Sequence, residues 1–149
     1  MRVVDEPEFS AEIRSQLNVG GFCKYPTDLP DVGCVTGPGR SGALAAVYAS
    51  HILGVPFIPY GQKAPLGLGR LLIIDTATES GATLRKACRK YEAMGHTPIT
   101  LAVFDENDPA IGRVAFWYES PKPQRYRHEA SGRAIGKTLQ RQLGLRNIP

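Results

Sequence analysis

The chain has 149 residues and contains 18 lysine and arginine residues against 14 aspartate and glutamate residues, so its net charge is +4. This length suits one domain with a sizeable core, and a composition of 42% hydrophobic and 21% charged residues excludes disordered, collagen-like and coiled-coil chains. No apolar run approaches the roughly 18 residues of a membrane span, and the first residues lack the apolar stretch of a secretory signal. We expect a cytoplasmic protein whose three cysteines, Cys23, Cys34 and Cys88, are reduced thiols.

The positive charge is concentrated near the C-terminus. From Arg113 onward there are eight basic residues against two acidic ones. Such a segment can attract nucleic acid or a phosphorylated small molecule, and it is equally typical of a solvated helical face. Only Tyr126 is interleaved with these arginines, so nucleic acid is the least favoured partner.

Apolar runs and turn residues alternate along the middle of the chain. The predicted strands are residues 32–36, 55–60, 71–75, 99–104 and 113–118, and the predicted helices run from Ser41 to about Leu53 and from Ala82 to about Met94. Ser41 is the predicted N-cap of the first helix, and Gly54 and Pro56 end it. Residues 61–70 form a predicted loop rich in glycine and proline, and residues 76–81 form a polar turn.

This alternation predicts an α/β fold with a mostly parallel twisted sheet and helices on both faces. We expect a single domain over residues 1–149, with its core between about 30 and 120. Ligands of open parallel sheets bind at the carboxyl ends of the strands. Two glycine-containing turns, 37–42 and 75–83, follow predicted strands, so we expect both at that edge of the sheet.

The turn at 75–83 has the residue types of a phosphate site. Asp75 ends an apolar strand, and the turn leads into a helix whose first N–H groups and dipole favour an anion. The hydroxyls of Ser80 and Thr83 can add hydrogen bonds, and Gly81 permits close approach to the backbone. A phosphomonoester suits this pattern, and an ordinary strand-to-helix turn capped by Ser80 is the alternative.

The same segment resembles the ribose-phosphate motif of the type I phosphoribosyltransferases. That motif has four apolar residues, two acids, two apolar residues, a variable position and a Thr-Gly-x-Thr run. Residues 71–74 match the apolar strand and Asp75 matches the first acid. The 5′-phosphate loop is matched by Ser80, Gly81, Ala82 and Thr83.

The turn after the first predicted strand resembles the loop that holds pyrophosphate in the same family. Its candidate pyrophosphate-binding residues are Gly39, Arg40, Ser41 and Gly42. A guanidinium such as that of Arg40 can reach pyrophosphate oxygens through charge-assisted hydrogen bonds.

The resemblance implies transfer of a phosphoribosyl group between 5-phosphoribosyl 1-pyrophosphate and a nucleobase, with Mg²⁺ bridging the pyrophosphate and ribose hydroxyls. Asp75 would bind the ribose diol and the metal. Glu79 lies at the variable position, where the 6-oxopurine branch has a catalytic base, and this favours purine slightly over orotate. An aromatic ring on the last predicted strand could stack on the base; Trp117 is the candidate, with Phe116 and Tyr118 left open and a role in the core as the alternative. Lys63 is the candidate for touching pyrophosphate, and an ordinary surface lysine is the alternative. A homodimer is expected from the family.

Two departures from the family pattern bear on activity. Thr76 stands where the family has its second acid, and it would bind the ribose with a neutral hydrogen bond, weaker by about 1–2 kcal/mol. The family's long mobile lid corresponds here to the ten residues 61–70. A non-catalytic module that binds a phosphorylated nucleoside or sugar is therefore the alternative function.

Overall fold

The computed structural model describes residues 2–17 and 32–119. The contacts divide the chain into two compact units, Met1–Val114 and Ala115–Pro149, and of the second unit the structure describes residues 115–119. The expectation of one domain over residues 1–149 therefore stays a prediction. Cys23 and most of the basic C-terminal segment also lie outside the described residues.

Helices and strands alternate along the described residues. In chain order they are β1 (Arg2–Val4), α1 (Glu6–Gln16), β2 (Val32–Thr36), α2 (Gly39–Leu53), β3 (Arg70–Thr78), α3 (Ala82–Ala93), β4 (Ile99–Asp105) and β5 (Val114–Phe116), with short 3-10 helices at Leu66–Leu68 and Trp117–Glu119. The bounds of β2 are those predicted, and α3 and β4 each differ by one residue. Strand β5 is shorter than the predicted strand at 113–118.

The central sheet is parallel and has the order β2-β3-β4. Val35 pairs with Leu72 across the first interface, and Leu72 pairs with Ile99 across the second. Beyond β2, the predicted strand at 55–60 is reduced to one bridge, in which Val35 pairs with Phe57. Proline nitrogens at positions 56 and 59 cannot donate to a ladder, and this explains why the strand does not extend.

The order in which strands are added to the sheet reverses between β2 and β3. From β2 the chain crosses through α2 to the bridge at Phe57, whereas from β3 it crosses through α3 to β4 on the other side. Because parallel crossovers are almost always right-handed, α2 and α3 cover opposite faces of the sheet. This confirms the predicted α/β class. It also makes the carboxyl ends of β2 and β3 the place where such sheets bind ligands.

The main core lies between the sheet and α3. Cys34 of β2 and two residues of β3, Leu71 and Ile73, pack there against the apolar face of α3, which comprises Leu84, Ala87 and Tyr91. Residues at alternate positions of a strand share a face, so Asp75 lies on this side of the sheet, two residues beyond Ile73. The core thus fixes the strand whose end bears the candidate site.

Helix α1 packs against α2 and β4. Its N-cap is Asp5, whose carboxylate accepts a hydrogen bond of 2.9 Å from the Glu8 amide. The ring of Phe9 lies 5.1 Å from that of Tyr48 on α2 and 6.5 Å from that of Phe104 on β4. Sequence analysis did not anticipate this helix.

The described cysteines, Cys34 and Cys88, form no disulfide with each other. Burial raises the pKa of the Cys34 thiol, which is 1% exposed. Over residues 2–17 and 32–119, no helix is both long enough and apolar enough to cross a membrane.

Candidate functional site at the carboxyl edge of the sheet

The turn between β2 and α2 requires glycine at two positions. A Cβ on Gly37 would lie 1.9 Å from the carbonyl oxygen of Gly42 and 2.6 Å from that of Ile74. A Cβ on Gly42 would in turn lie 2.6 Å from the carbonyl carbon of Gly37. The first turn of α2 is therefore pressed against the turn before it, and this turn against β3.

Helix α2 begins two residues earlier than predicted. Its N-cap is Pro38 rather than Ser41, because the fixed φ of proline, here −75° with an extended ψ of 140°, already suits the entry to a helix. The expected pyrophosphate-binding residues, Gly39, Arg40, Ser41 and Gly42, therefore form the first turn of α2. The structure places Arg40 at the surface and leaves Ser41 half-buried.

Strand β3 extends three residues past its predicted end. Thr78 still pairs with Asp105 of β4, so residues 76–78 form strand and not the predicted polar turn. β-Branched residues at 76 and 78 favour this extended backbone. The Asp75 carboxylate accepts a hydrogen bond of 2.8 Å from the Thr76 amide. Thr76 is only 3% exposed, so it offers a ribose little surface.

The turn between β3 and α3 has its own hydrogen bonds. The Gly81 amide donates to the Thr78 hydroxyl at 2.8 Å, and the Ala82 amide donates to the Ser80 hydroxyl at 3.2 Å. Gly81 has a φ of +75°, a left-handed conformation that favours glycine, and it is the N-cap of α3. Two amides of the expected phosphate loop are thus occupied by neighbouring hydroxyls, which an anion would have to displace.

Sequence analysis missed Thr78 as a member of this loop. A threonine or serine whose hydroxyl accepts from an amide three residues later is a common local motif, so its spacing to Gly81 could have indicated it. Thr83, the last residue of the expected loop, is exposed in the first turn of α3.

A second loop, residues 105–113, lies against this turn. The Glu106 amide donates to the Thr78 carbonyl at 2.8 Å, and the Asn107 side-chain amide donates to the Glu79 carbonyl. The Arg113 guanidinium lies 3.6 Å from the Glu79 carboxylate, and both side chains are about two-thirds exposed. An exposed pair of this kind contributes only ~0.2–1 kcal/mol, so Glu79 can exchange Arg113 for another cation.

Lys63 lies at the opposite end of the sheet. On one side of it, the Ala64 amide donates to Nε2 of His96 at 3.2 Å, and on the other the Gln62 carbonyl accepts from the Tyr91 hydroxyl at 3.0 Å. Tyr91 is near the end of α3, and His96 follows that helix, just before the start of β4. The structure therefore does not bring Lys63 to Asp75.

The expected short lid is the return segment of a crossover. The chain must go from the carboxyl end back to the amino end of the sheet before β3 can run parallel to β2. Along this path the Leu68 carbonyl oxygen would lie 1.4 Å from a Cβ on Gly33, near the amino end of β2. A segment packed there does not cover the carboxyl edge.

The aromatic residues expected to contact a base lie beyond the first unit. Strand β5 ends at Phe116, and Trp117 belongs to the following 3-10 helix. Within the second unit, the Trp117 and Tyr118 rings meet edge to face at 5.1 Å. The extent predicted for this strand was wrong, and the role of Trp117 in stacking on a base stays a prediction.

The fold and the two loops define the class of the protein: a doubly wound α/β protein with a polar site at its topological switch point. The chain is similar to solved structures that include the following three. A Helicobacter pylori xanthine-guanine-hypoxanthine phosphoribosyltransferase has a TM-score of 0.61 at 12% identity, over 85% of this chain and 97% of that one. A purine phosphoribosyltransferase from Pyrococcus horikoshii Ot3 has a TM-score of 0.57 at 17% identity, over 78% and 94%.

An orotate phosphoribosyltransferase from Aeropyrum pernix has a TM-score of 0.51 at 19% identity, over 82% of this chain and 78% of that one. No protein-family model matches the chain, and no curated protein matches it. The chain therefore has the fold of the type I phosphoribosyltransferases, as the resemblance of its two loops implied.

Proposed function

We propose that the protein transfers a phosphoribosyl group between 5-phosphoribosyl 1-pyrophosphate and a nucleobase. The observation that supports this most is the position of two loops, 37–42 and 79–83, at the carboxyl ends of β2 and β3. Sheets of this topology bind phosphorylated ligands in the crevice between such loops. The fold shared with purine and orotate phosphoribosyltransferases gives the class of reaction.

Each part of the substrate has a candidate partner at this edge. The first turn of α3, with Ser80 and Thr83, binds the 5′-phosphate at a helix N-terminus. The Asp75 carboxylate binds the ribose hydroxyls. The first turn of α2, with Arg40, binds the pyrophosphate through backbone N–H groups and a guanidinium.

In the reaction, a nitrogen of the base forms a bond to C1 of the ribose while the bond from C1 to pyrophosphate breaks. Positive charge develops on the ribose as in glycoside cleavage, and a nearby carboxylate stabilises it. Glu79 is the candidate for this role and for accepting the proton that the base loses. The contact between Glu79 and Arg113 has to loosen for either role.

Asp75 suits the Mg²⁺ that this reaction class uses. Magnesium is commonly bound through one or two carboxylates together with substrate phosphates, not through a cage of protein ligands. The described residues accordingly contain no group of three or more metal-ligating side chains, whereas Asp75 offers one carboxylate at the edge. Bound there, the ion would supply charge neutralisation for the departing pyrophosphate. A homodimer completes the proposal.

Among substrates, we favour a purine base over orotate. The support is the position of Glu79, which matches a catalytic base of the 6-oxopurine branch. A non-catalytic module that binds a sugar phosphate or nucleotide is the second candidate. Two observations favour that module: Thr76, which is only 3% exposed, stands in place of a second acid, and residues 61–69 pack at the far end of the sheet and form no lid.

Pyrophosphate release distinguishes the two functions. The full chain is mixed with Mg²⁺, 5-phosphoribosyl 1-pyrophosphate and a panel of purine and pyrimidine bases. We expect release with at least one base, and a loss of tenfold or more for Asp75→Asn and for Glu79→Gln. Glu92→Gln, an exposed carboxylate near the end of α3, is the matched control. No release with any base, together with binding of ribose 5-phosphate, would establish the module instead.

A further inference from the structure

Arg85 folds back over the turn that precedes its own helix. Its Nη1 donates a hydrogen bond of 2.8 Å to the Ser80 carbonyl oxygen. The same Nη1 would lie 3.0 Å from a Cβ placed on Gly81. The guanidinium therefore rests against the backbone of the expected phosphate loop.

A cation at this position would compensate for the loop amides that already have hydrogen-bond acceptors. The amides of Gly81 and Ala82 already donate to the hydroxyls of Thr78 and Ser80, at 2.8 and 3.2 Å. A phosphate that replaces these hydroxyls gains only the difference between two kinds of hydrogen bond. Binding of the phosphate therefore needs a further attraction, from a positively charged group that is not already paired with an anion.

The Arg85 guanidinium has the chemistry for this. It has five N–H donors in a planar fork, and one of them is used on the Ser80 carbonyl. The geometry of a guanidinium suits bidentate contact with phosphate oxygens. Arg85 is exposed, so a soluble anion can reach it.

We propose that Arg85 binds the phosphoryl group of a ribose 5-phosphate moiety, and so determines that the substrate is a sugar phosphate and not an uncharged nucleoside. This inference rests on the proposed function, since it adds a residue to the same site. Arg85 keeps its contact with the Ser80 carbonyl and turns its remaining N–H groups toward the phosphate. It thus holds the loop in shape and supplies the positive charge.

Arg89 is a matched control within the same helix. It lies one turn further along α3, about 6 Å from Arg85 along the axis, and it is also exposed. Both arginines contribute the same net charge, so a difference between their variants reports position and not overall charge.

The test is calorimetric titration of the full chain with ribose 5-phosphate and, separately, with ribose. We expect Arg85→Gln to weaken the binding of ribose 5-phosphate by about 10- to 100-fold, the usual range for a charge-assisted hydrogen bond. Arg85→Lys keeps the charge without the fork, and its affinity should lie between those of Arg85→Gln and wild type. Arg89→Gln should stay within about twofold of wild type.

The pH dependence separates ligand binding from a purely structural role. A phosphomonoester gains its second charge near pH 6, so wild-type affinity for ribose 5-phosphate should rise between pH 5 and 7. In Arg85→Gln this rise should be smaller, because the partner of the second charge is gone. An equal rise in both proteins would overturn the proposal and leave Arg85 as a residue that only shapes the loop.

Failure of this inference and failure of the proposed function give different results. Wild type that binds ribose 5-phosphate while Arg85→Gln binds equally well overturns the role of Arg85 alone. Wild type that does not bind ribose 5-phosphate overturns both. Thermal unfolding of each variant checks the fold. If Arg85→Gln does not fold, the affinity of Arg85→Lys for ribose 5-phosphate decides the matter, because affinity equal to wild type would overturn the role of Arg85.

Discussion

The amide of Gly81 donates a hydrogen bond to the hydroxyl of Thr78, 2.8 Å away. This contact joins the last residue of β3 to the N-cap of α3 across the turn where a phosphate is expected. The hydroxyl thus occupies a donor that a bound phosphate oxygen would take. Without ligand, the Thr78 hydroxyl stabilises the loop. When a phosphate binds, the hydroxyl competes with it for the Gly81 amide.

Replacing Thr78 with valine should therefore move stability and affinity in opposite directions. Valine keeps the β-branched shape that suits a strand and removes the hydroxyl. The free energy of unfolding should fall by about 1 kcal/mol, whereas affinity for ribose 5-phosphate should rise by up to about tenfold. Urea denaturation and calorimetric titration measure the two quantities.

Thr78→Ser is the control for this variant, because it keeps the hydroxyl and should leave ligand affinity close to that of wild type. If Thr78→Val loses affinity instead of gaining it, the hydroxyl is itself a phosphate ligand and the idea of competition is wrong.

Gly81→Ala tests the shape of the same loop. A left-handed backbone costs an alanine about 1–2 kcal/mol, and here the new methyl group would also lie 3.0 Å from the Arg85 guanidinium. We expect this loss of stability together with weaker binding of ribose 5-phosphate, measured by urea denaturation and titration.

Gly54→Ala is the control that separates the loss of stability from the loss of ligand affinity expected for Gly81→Ala. Gly54 ends α2 with a φ of +67°, and a Cβ there meets nothing within 4 Å. It should lose a similar amount of stability and keep full affinity for the ligand. Equal affinities in the two alanine variants would show that the Gly81 turn takes no part in binding.

Local patterns predicted the framework of this fold where one signal dominated. Strand β2 and helix α3 were located from an apolar run before glycine and from apolar residues at helical spacing. The strand predicted at 55–60 failed because proline at 56 and 59 outweighs the apolar residues between them. Helix α1 went unnoticed although Asp5, Pro7 and Glu8 form an ordinary start signal.

The positions of the two site loops along the chain could be predicted from the sequence, whereas the contacts of their side chains could not. Both loops follow parallel strands, so their common edge follows from topology alone. Composition does not say at which end of a sheet a loop packs, so it could not indicate that the neighbours of Lys63 contact His96 and Tyr91. The contacts of Arg85 and Thr78 depend on the backbone of the turn, and the extension of β3 to Thr78 depends on its pairing with Asp105, a long-range contact.

Thr36 is a buried threonine whose replacement should stabilise the protein. It ends β2, is 0% exposed, and its hydroxyl has no hydrogen-bond partner in the part of the chain that the structure describes. An unsatisfied buried hydroxyl costs about 1–3 kcal/mol, so Thr36→Val should raise the free energy of unfolding by up to that amount. Thr36→Ser keeps the hydroxyl, loses a buried methyl group and should be less stable than wild type. A destabilised valine variant in urea denaturation would mean that the hydroxyl is bonded after all.

Stability should also fall as the pH rises above about 8.5, through the thiol of Cys34. Burial raises the pKa of this thiol in the folded protein, so above the ordinary value the unfolded chain loses the proton first. The contribution of Cys34 to stability is fully present below the unfolded pKa and is lost as the pH rises toward the folded pKa, at up to about 1.4 kcal/mol per pH unit.

Urea denaturation between pH 7.5 and about 9.5 measures this dependence of stability on pH. Cys34→Ala loses packing at every pH but should flatten this slope, whereas Cys88→Ala, at a half-buried position, should change it less. Parallel slopes for wild type and Cys34→Ala would show that Cys34 makes no contribution to the pH dependence.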